Sequence, residues 1–270
     1  MNEPREYSLG YSDAEAQRLA KQAALFEDLT EDVLRRAGLV HGMDVLDVGC
    51  GVGDVSFLAG RMVGPRGSVL GVDRASSSVA IARKRFCREA TNLQFDVVDL
   101  DAFDTTRMFD AVIGRMVLCH LPDPAATLRR LRHFVRPGGI IAFQEVDQSA
   151  VACVPEADLH SRARQWLLRA NSAAGVELEM GSKLFSLFVK AGLPRPTMIA
   201  AGRVEAGPQS SADDMLAGVV RSLLPIILRF GIASEEEIRI ETLADRLREE
   251  SSVTDCVVFL PRLVGAWSRL

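Results

Sequence analysis

The stretch Met43-Asp44-Val45-Leu46-Asp47-Val48-Gly49-Cys50-Gly51-Val52-Gly53-Asp54 decides how the rest of the chain is read. An apolar, β-branched run ends in an acid and then in three glycines at alternate positions. This order predicts a buried parallel strand (Val45, Leu46, Val48), a tight turn, and a helix whose start is supplied by Val55 through Arg61. Glycine is needed where the chain turns sharply and a ligand lies against the backbone, because a Cβ would block both. In an open α/β sheet, the crevice at the carboxyl end of the first strand is where a nucleotide sits. The spacing here is Gly-x-Gly-x-Gly, which departs from the Gly-x-Gly-x-x-Gly of nicotinamide and flavin enzymes.

Composition narrows the alternatives. At 270 residues and 48% hydrophobic content, the chain can bury a full core in one large domain, or in one domain with an insertion. A formal charge of -4 with interspersed signs leaves no footprint for nucleic acid. No run of eighteen or more apolar residues is present, so no membrane span is expected, and the polar N-terminal residues do not read as a signal peptide. The five cysteines are scattered without a CxxC pair, and the four histidines do not cluster, so no metal centre is expected. Reduced thiols in a cytoplasmic protein are the expectation.

The segment Asp47 to Gly53 resembles the first motif of class I S-adenosylmethionine (SAM)-dependent methyltransferases. Within that class it resembles the small-molecule type similar to ubiquinone and menaquinone biosynthesis methyltransferases. Three later features are similar to that family in the same order. Gly67 to Asp73 is a short apolar strand ending in an acid, roughly two dozen residues beyond the glycine turn and close to the ~20 expected of a ribose-binding carboxylate. Phe109 to Arg115 is a strand that continues through Met116 to His120 and into a proline-started helix at Pro124. Arg136-Pro137-Gly138-Gly139 precedes an apolar strand that runs to Asp147.

The resemblance implies an α/β Rossmann-like fold with a seven-stranded, mostly parallel sheet of order 3-2-1-4-5-7-6 and a helical lid. It also implies SAM as the cofactor. The implied cofactor-binding set begins with Asp47, Gly49, Cys50, Gly51 and Gly53 of the turn, followed by Asp73 and Arg74 at the end of strand two. Asp99 would accept from the adenine amine and Leu100 would offer its backbone N–H to the ring, although Asp96, Asp101 and Asp104 crowd the same region. Arg115 and Met116 would sit at the end of strand four, beneath the methionine part. Family members that look like this one fold an N-terminal helix over the cofactor, which brings in Tyr7, Tyr11, Arg18 and Gln22. The alternative for the two tyrosines is a staple between helix and sheet. A general base is needed only if the acceptor carries a proton that must leave. His120 and Glu145 are the candidates, with Asp147 third; each has a purely structural alternative.

The single methyltransferase domain 1–270 is expected to carry an N-terminal helical lid at 1–40, a SAM-binding core at 41–150 and a helical insertion at 208–250. The first 40 residues read as two helices, from Ser12 to about Phe26 and from Thr30 to Ala37. Met215 to Phe230 is apolar nearly all round with Pro225 inside, and a further helix is expected from Ser234 to near Glu250. A charge at Leu223 or Ile227 would then alter acceptor turnover or oligomeric state, and a homodimer is left open. So apolar a lid points to a small, largely apolar acceptor, as in secondary metabolism or lipid-quinone pathways. Two other classes compete with the methyltransferase reading. One is a protein that binds SAM but catalyses a rearrangement or cyclisation; the other is a nicotinamide-dependent oxidoreductase. The shifted third glycine and the lack of a Tyr-x-x-x-Lys pair count against the second.

Overall fold

A computed structural model describes residues 13–86, 91–207 and 209–270, with side chains from Arg18 onward in the first helix. The chain forms two compact units. One comprises Leu19–Val146, Met180–Ala201 and Leu263–Leu270; the other comprises Asp147–Glu179 and Gly202–Arg262 together with the N-terminal end of the first helix.

The first unit is a seven-stranded sheet with helices. Its elements are α1 (Asp13–Ala37), β1 (Asp44–Val48), α2 (Asp54–Val63), β2 (Ser68–Asp73), α3 (Ser76–Phe86), β3 (Leu93–Val97), β4 (Phe109–Arg115), α4 (Pro124–Leu131) and β5 (Val135–Asp147). After β6 (Ala152–Val154) and α5 (Asp158–Ala173) of the second unit, it resumes with α6 (Met180–Lys190) and β7 (Thr197–Ala201). It resumes again after β8 (Val204–Ala206), α7 (Ala212–Arg229), α8 (Glu235–Ile238), α9 (Leu243–Thr254) and β9 (Val257–Phe259), ending in β10 (Arg262–Arg269). The sheet order is β3-β2-β1-β4-β5-β10-β7. Counting only the strands of this sheet, that is 3-2-1-4-5-7-6. β1 pairs in parallel with β2 and β4, β2 with β3, and β4 with β5, whereas β10 runs antiparallel to β7. Four of the five β1 residues are buried, as a strand covered on both faces requires. Val45, Leu58, Val69, Val79, Phe95, Ile113 and Ile140 share one core with Leu34 and Ala37 of α1.

Several expected boundaries shift, each for a local reason. The two N-terminal helices are one, α1. Thr30 does not cap a second helix, because its hydroxyl bonds back to the Phe26 carbonyl four residues earlier (3.0 Å) and the helix runs on. The Arg136 to Gly139 segment lies inside β5 rather than before it, and its pairing with β4 is irregular between Phe109 and Ala111. The helix expected from Ser234 stops after one turn. Ser234 and Glu237 form a reciprocal capping box, but Arg239 takes a left-handed φ of 43° and the chain restarts as α9. Arg246 donates to the carbonyls of Ile238 and Arg239, satisfying the break.

In the second unit, β6, β9 and β8 form a separate three-stranded sheet. The stretch from Pro196 to Ala206, which reads in sequence as one strand, is divided between two sheets as β7 and β8 at Gly202, and the last strand, Cys256 to Trp267 with a break expected at Pro261, is divided as β9 and β10. Proline has no N–H to donate to a ladder, which marks the second break. Helices α5, α7 and α9 pack around Trp166, Val220, Leu223, Ile227 and Leu247. Cys153 of β6 and Cys256, beside β9, share a thiol hydrogen bond, although they are 103 residues apart in sequence. Burial pushes the Cys153 thiol up to about 12. No described helix is long and apolar enough to cross a membrane, and no group of three or more His, Cys, Asp or Glu among the described residues could hold a metal.

Candidate active site

The glycine turn joins β1 to α2, and its three glycines do different work. All three adopt positive φ: 64° at Gly49, 53° at Gly51 and 90° at Gly53. A Cβ on Gly49 would stand 2.4 Å from Val117 Cγ2, and one on Gly53 would stand 3.0 Å from Ala82 Cβ and Phe86 Cδ2. A Cβ on Gly51 would meet nothing within 4 Å. Gly49 and Gly53 are thus demanded by the protein's own packing, whereas the backbone at Gly51 is open to a ligand. Cys50 is buried; its N–H donates to Val72 (3.0 Å), and its carbonyl accepts from Gly53 N–H (2.9 Å).

Asp73 closes the neighbouring side. One of its carboxylate oxygens accepts from Gly51 N–H (2.9 Å) and the other from Ala75 N–H (2.8 Å). Each oxygen keeps a further acceptor direction for ligand hydroxyls. Beyond it, exposed Asp99 accepts from Asp101 N–H (2.9 Å) just after β3, and Leu100 is half-buried beside it. Asp47 lies beneath the turn, only 1% exposed, and accepts from the Ser56 hydroxyl (2.6 Å). Burial pushes its carboxyl up to about 7 against the pull of Ser56 and Arg115.

On the far side of β1, Arg115 donates to the Thr30 hydroxyl (3.0 Å), whose one proton is shared between Gln144 Oε1 (2.8 Å) and the Phe26 carbonyl. Burial lowers the pKa of Arg115, while Asp54, Asp47 and Glu27 hold it up. Thr30 and Gln144 are not legible as site residues; the only signal is a polar Gln144 directly after the apolar run Ile140–Phe143. Met116 follows in the left-handed region (φ 55°), which costs a non-glycine residue about 1–2 kcal/mol. Its N–H donates to the Gln144 carbonyl (2.8 Å), and its sulfur accepts from Gln22 Nε2 (3.2 Å). Glu145 is fully buried and accepts from three successive backbone N–H groups: Val117 (2.9 Å), Leu118 (2.8 Å) and Cys119 (3.3 Å). Burial raises its carboxyl to about 7.

His120 ends the short 3-10 turn that follows Met116, and desolvation, helped by the charge of exposed Arg74, pushes its imidazole down to about 4. It is neutral at pH 7. Asp147 is paired with Arg262 (3.0 Å) and caps the next turn through Ser149 N–H (2.9 Å). Arg18 Cγ lies 3.4 Å from where a Cβ on Gly218 would be, within the second unit. Tyr7 and Tyr11 lie outside the described residues.

Residues 39–192, more than half of the chain, match the family model described as a methyltransferase domain. The chain belongs to the class I SAM-dependent methyltransferase family. The ubiquinone biosynthesis O-methyltransferase of Serratia proteamaculans is 32% identical over 122 residues, which is 44% of this chain and 49% of that relative. The demethylmenaquinone methyltransferase of Halalkalibacterium halodurans is 30% identical over 125 residues, 45% and 50% of the two chains. This methyltransferase therefore spans about half the length of the curated relatives it matches. Among solved structures, the phosphoethanolamine N-methyltransferase 2 of Haemonchus contortus, in complex with phosphomonomethylethanolamine and S-adenosylhomocysteine, superposes with a TM-score of 0.53 at 16% identity. That match covers 88% of this chain and 52% of the other, and it is a likeness of fold.

Proposed function

We propose that this protein binds SAM across the carboxyl ends of β2, β1 and β4 and transfers its methyl group to a small, largely apolar acceptor. The observation that carries this reading is the open backbone at Gly51, flanked by the Asp73 carboxylate. An open stretch of backbone, beside an acid with free acceptor directions, fits a ribose and its chain. Adenine would then extend toward Asp99 and Leu100, and the amino-acid tail toward Met116 and Arg115. Cys50 and Arg74 would flank the ligand, with Asp47 supporting the turn from below. Arg18, Gln22 and Tyr7 are proposed to close over the tail.

The bound sulfonium supplies an electrophilic methyl, so the chain's task is alignment and exclusion of water. Of the groups beside β4 and β5, neither is a strong base. His120 is neutral but weakly basic, and Glu145 is fully buried with three of its four acceptor directions taken by backbone N–H groups. This favours an acceptor whose nucleophile is available without help from the protein; His120 is the group proposed to face it. The quinone-pathway names of the two sequence relatives support a phenolic or quinol-type acceptor, which on this reading reacts as its phenolate after giving its proton to solvent. The helices from 208 to 250 are proposed to choose it, and the segment before Val40 to act as a lid.

Calorimetry with S-adenosylhomocysteine tests the cofactor half. Asp73→Ala should weaken binding by about 1.5–3 kcal/mol, the scale of charge-assisted hydrogen bonds, and NAD(H) should bind poorly to both proteins. Equal affinity of mutant and wild type would remove Asp73 from the site. Transfer of a labelled methyl to a panel of phenols tests the acceptor half. Tight cofactor binding with no transfer to any acceptor would favour a non-methylating enzyme.

A second variant tests the division of labour among the glycines. Gly51→Ala should leave the unfolding free energy within about 1–2 kcal/mol of wild type, the cost of an alanine at positive φ, yet block the ligand. A fold lost together with binding would mean that Gly51, too, serves packing.

A further inference from the structure

The carboxylate of Glu145 is unusual in where it points. It sits at the end of β5, is fully buried, and gathers the N–H groups of three consecutive residues on the neighbouring β4 turn. Oε1 serves Val117 and Leu118, and Oε2 serves Cys119. Those three amides follow directly on Met116, the strained residue at the end of β4. Met116 is therefore held on both sides, by its own N–H on Gln144 and by the anchored amide of Val117. The side chain of Val117 is in turn the group that a Cβ on Gly49 would strike at 2.4 Å. A continuous physical path thus runs from Glu145, through the β4 turn, to the floor of the glycine turn, all within one compact unit.

We propose that Glu145 is a positioning residue: by holding the amides of Val117, Leu118 and Cys119, it fixes the β4 turn in the shape that receives the amino-acid tail of SAM. This rests on the cofactor reading given above. It assigns Glu145 no contact with acceptor or cofactor, in place of the general-base role. The geometry of the sheet separates its effect from that of Asp73. The ribose acid stands on β2, on one side of β1, whereas the clamped turn stands on β4, on the other. A ligand that lacks the tail would not feel the clamp.

The test compares two ligands on folded protein: S-adenosylhomocysteine, which carries the tail, and methylthioadenosine, which does not. Glu145→Gln keeps one carbonyl oxygen but turns an amide N–H₂ toward a backbone donor, so at least one of the three amides loses its acceptor. We expect its affinity for S-adenosylhomocysteine to fall about tenfold or more, the effect of one lost charge-assisted hydrogen bond, while methylthioadenosine changes less than about twofold. A merely structural role would weaken both alike, and that outcome, or no change with either ligand, overturns the inference. Hydrogen exchange of the wild type needs no variant. The 117–119 amides should be protected before any ligand is added, and exchange at the rate of an open loop overturns the clamp. If wild type binds neither ligand, the cofactor reading fails and the role of Glu145 falls with it. If wild type binds both and Glu145→Gln loses both equally, only the positioning role is lost.

Discussion

At pH 8 the Asp47→Asn protein is expected to be more stable than wild type, by up to about 4 kcal/mol, and at pH 5 the gap should shrink to under about 2 kcal/mol. The sign follows from burial. Asp47 is 1% exposed, and burial raises its carboxyl from the ordinary 3.8 to about 7. Between those two values the folded protein holds a proton that the unfolded chain has released, so stability falls as pH rises. Below the lower value both states are protonated and no penalty remains. Asparagine is neutral throughout and keeps an oxygen for the Ser56 hydroxyl, so it removes the penalty without orphaning its partner. Urea unfolding of both proteins across this range checks the claim; a gap that does not change with pH would mean that Asp47 does not titrate on folding. A buried carboxylate that costs stability at neutral pH calls for a compensating use. We expect Asp47→Asn to gain stability and to lose affinity for S-adenosylhomocysteine together, the usual exchange at a functional site.

What was legible in the sequence is what the backbone itself demands. Three glycines at positive φ, an acid at the end of each of two strands, and the apolar runs of β1 and β4 are local requirements. A single chain displays such requirements openly, and they carry the family resemblance that implied the sheet order. The clamp at Glu145 was not legible in the same way. Its partners are backbone amides 26 to 28 residues away, and any residue types could have supplied them. The Thr30–Gln144 support of Arg115 spans 114 residues and is equally silent. Local signals also misled where tertiary contacts overrode them. Thr30 looks like a helix cap but bonds backwards within α1, and the Ser234 capping box is genuine but opens a helix of only four residues. Cysteines that are scattered in sequence meet at Cys153 and Cys256 because β6 and β9 pair.

The largest loss of stability is expected from Leu223→Asp. The sequence marks Met215 to Phe230 as apolar nearly all round and so cannot say which residues face inward, leaving Leu223 and Ile227 as candidates for an exposed contact face. Both are fully buried, in the core that α5, α7 and α9 build with Trp166 and Leu247. An aspartate at 223 would delete a buried side chain and leave a charge without a partner, a combination that costs about 4–5 kcal/mol or more. Phe230, one residue past the same helix, is 53% exposed and borders a shallow surface depression with Leu168 and Ile232. Phe230→Asp should move stability by no more than about 0.5 kcal/mol, since the new carboxylate stays in water beside Arg229. Urea unfolding and far-ultraviolet circular dichroism of the pair make the comparison. If Leu223→Asp remains folded and only its oligomeric state changes, α7 presents that face to a second subunit and not to α5 and α9. If Phe230→Asp keeps its stability but alters turnover of the acceptor, the exposed end of α7 is the part of the helical unit that meets the substrate.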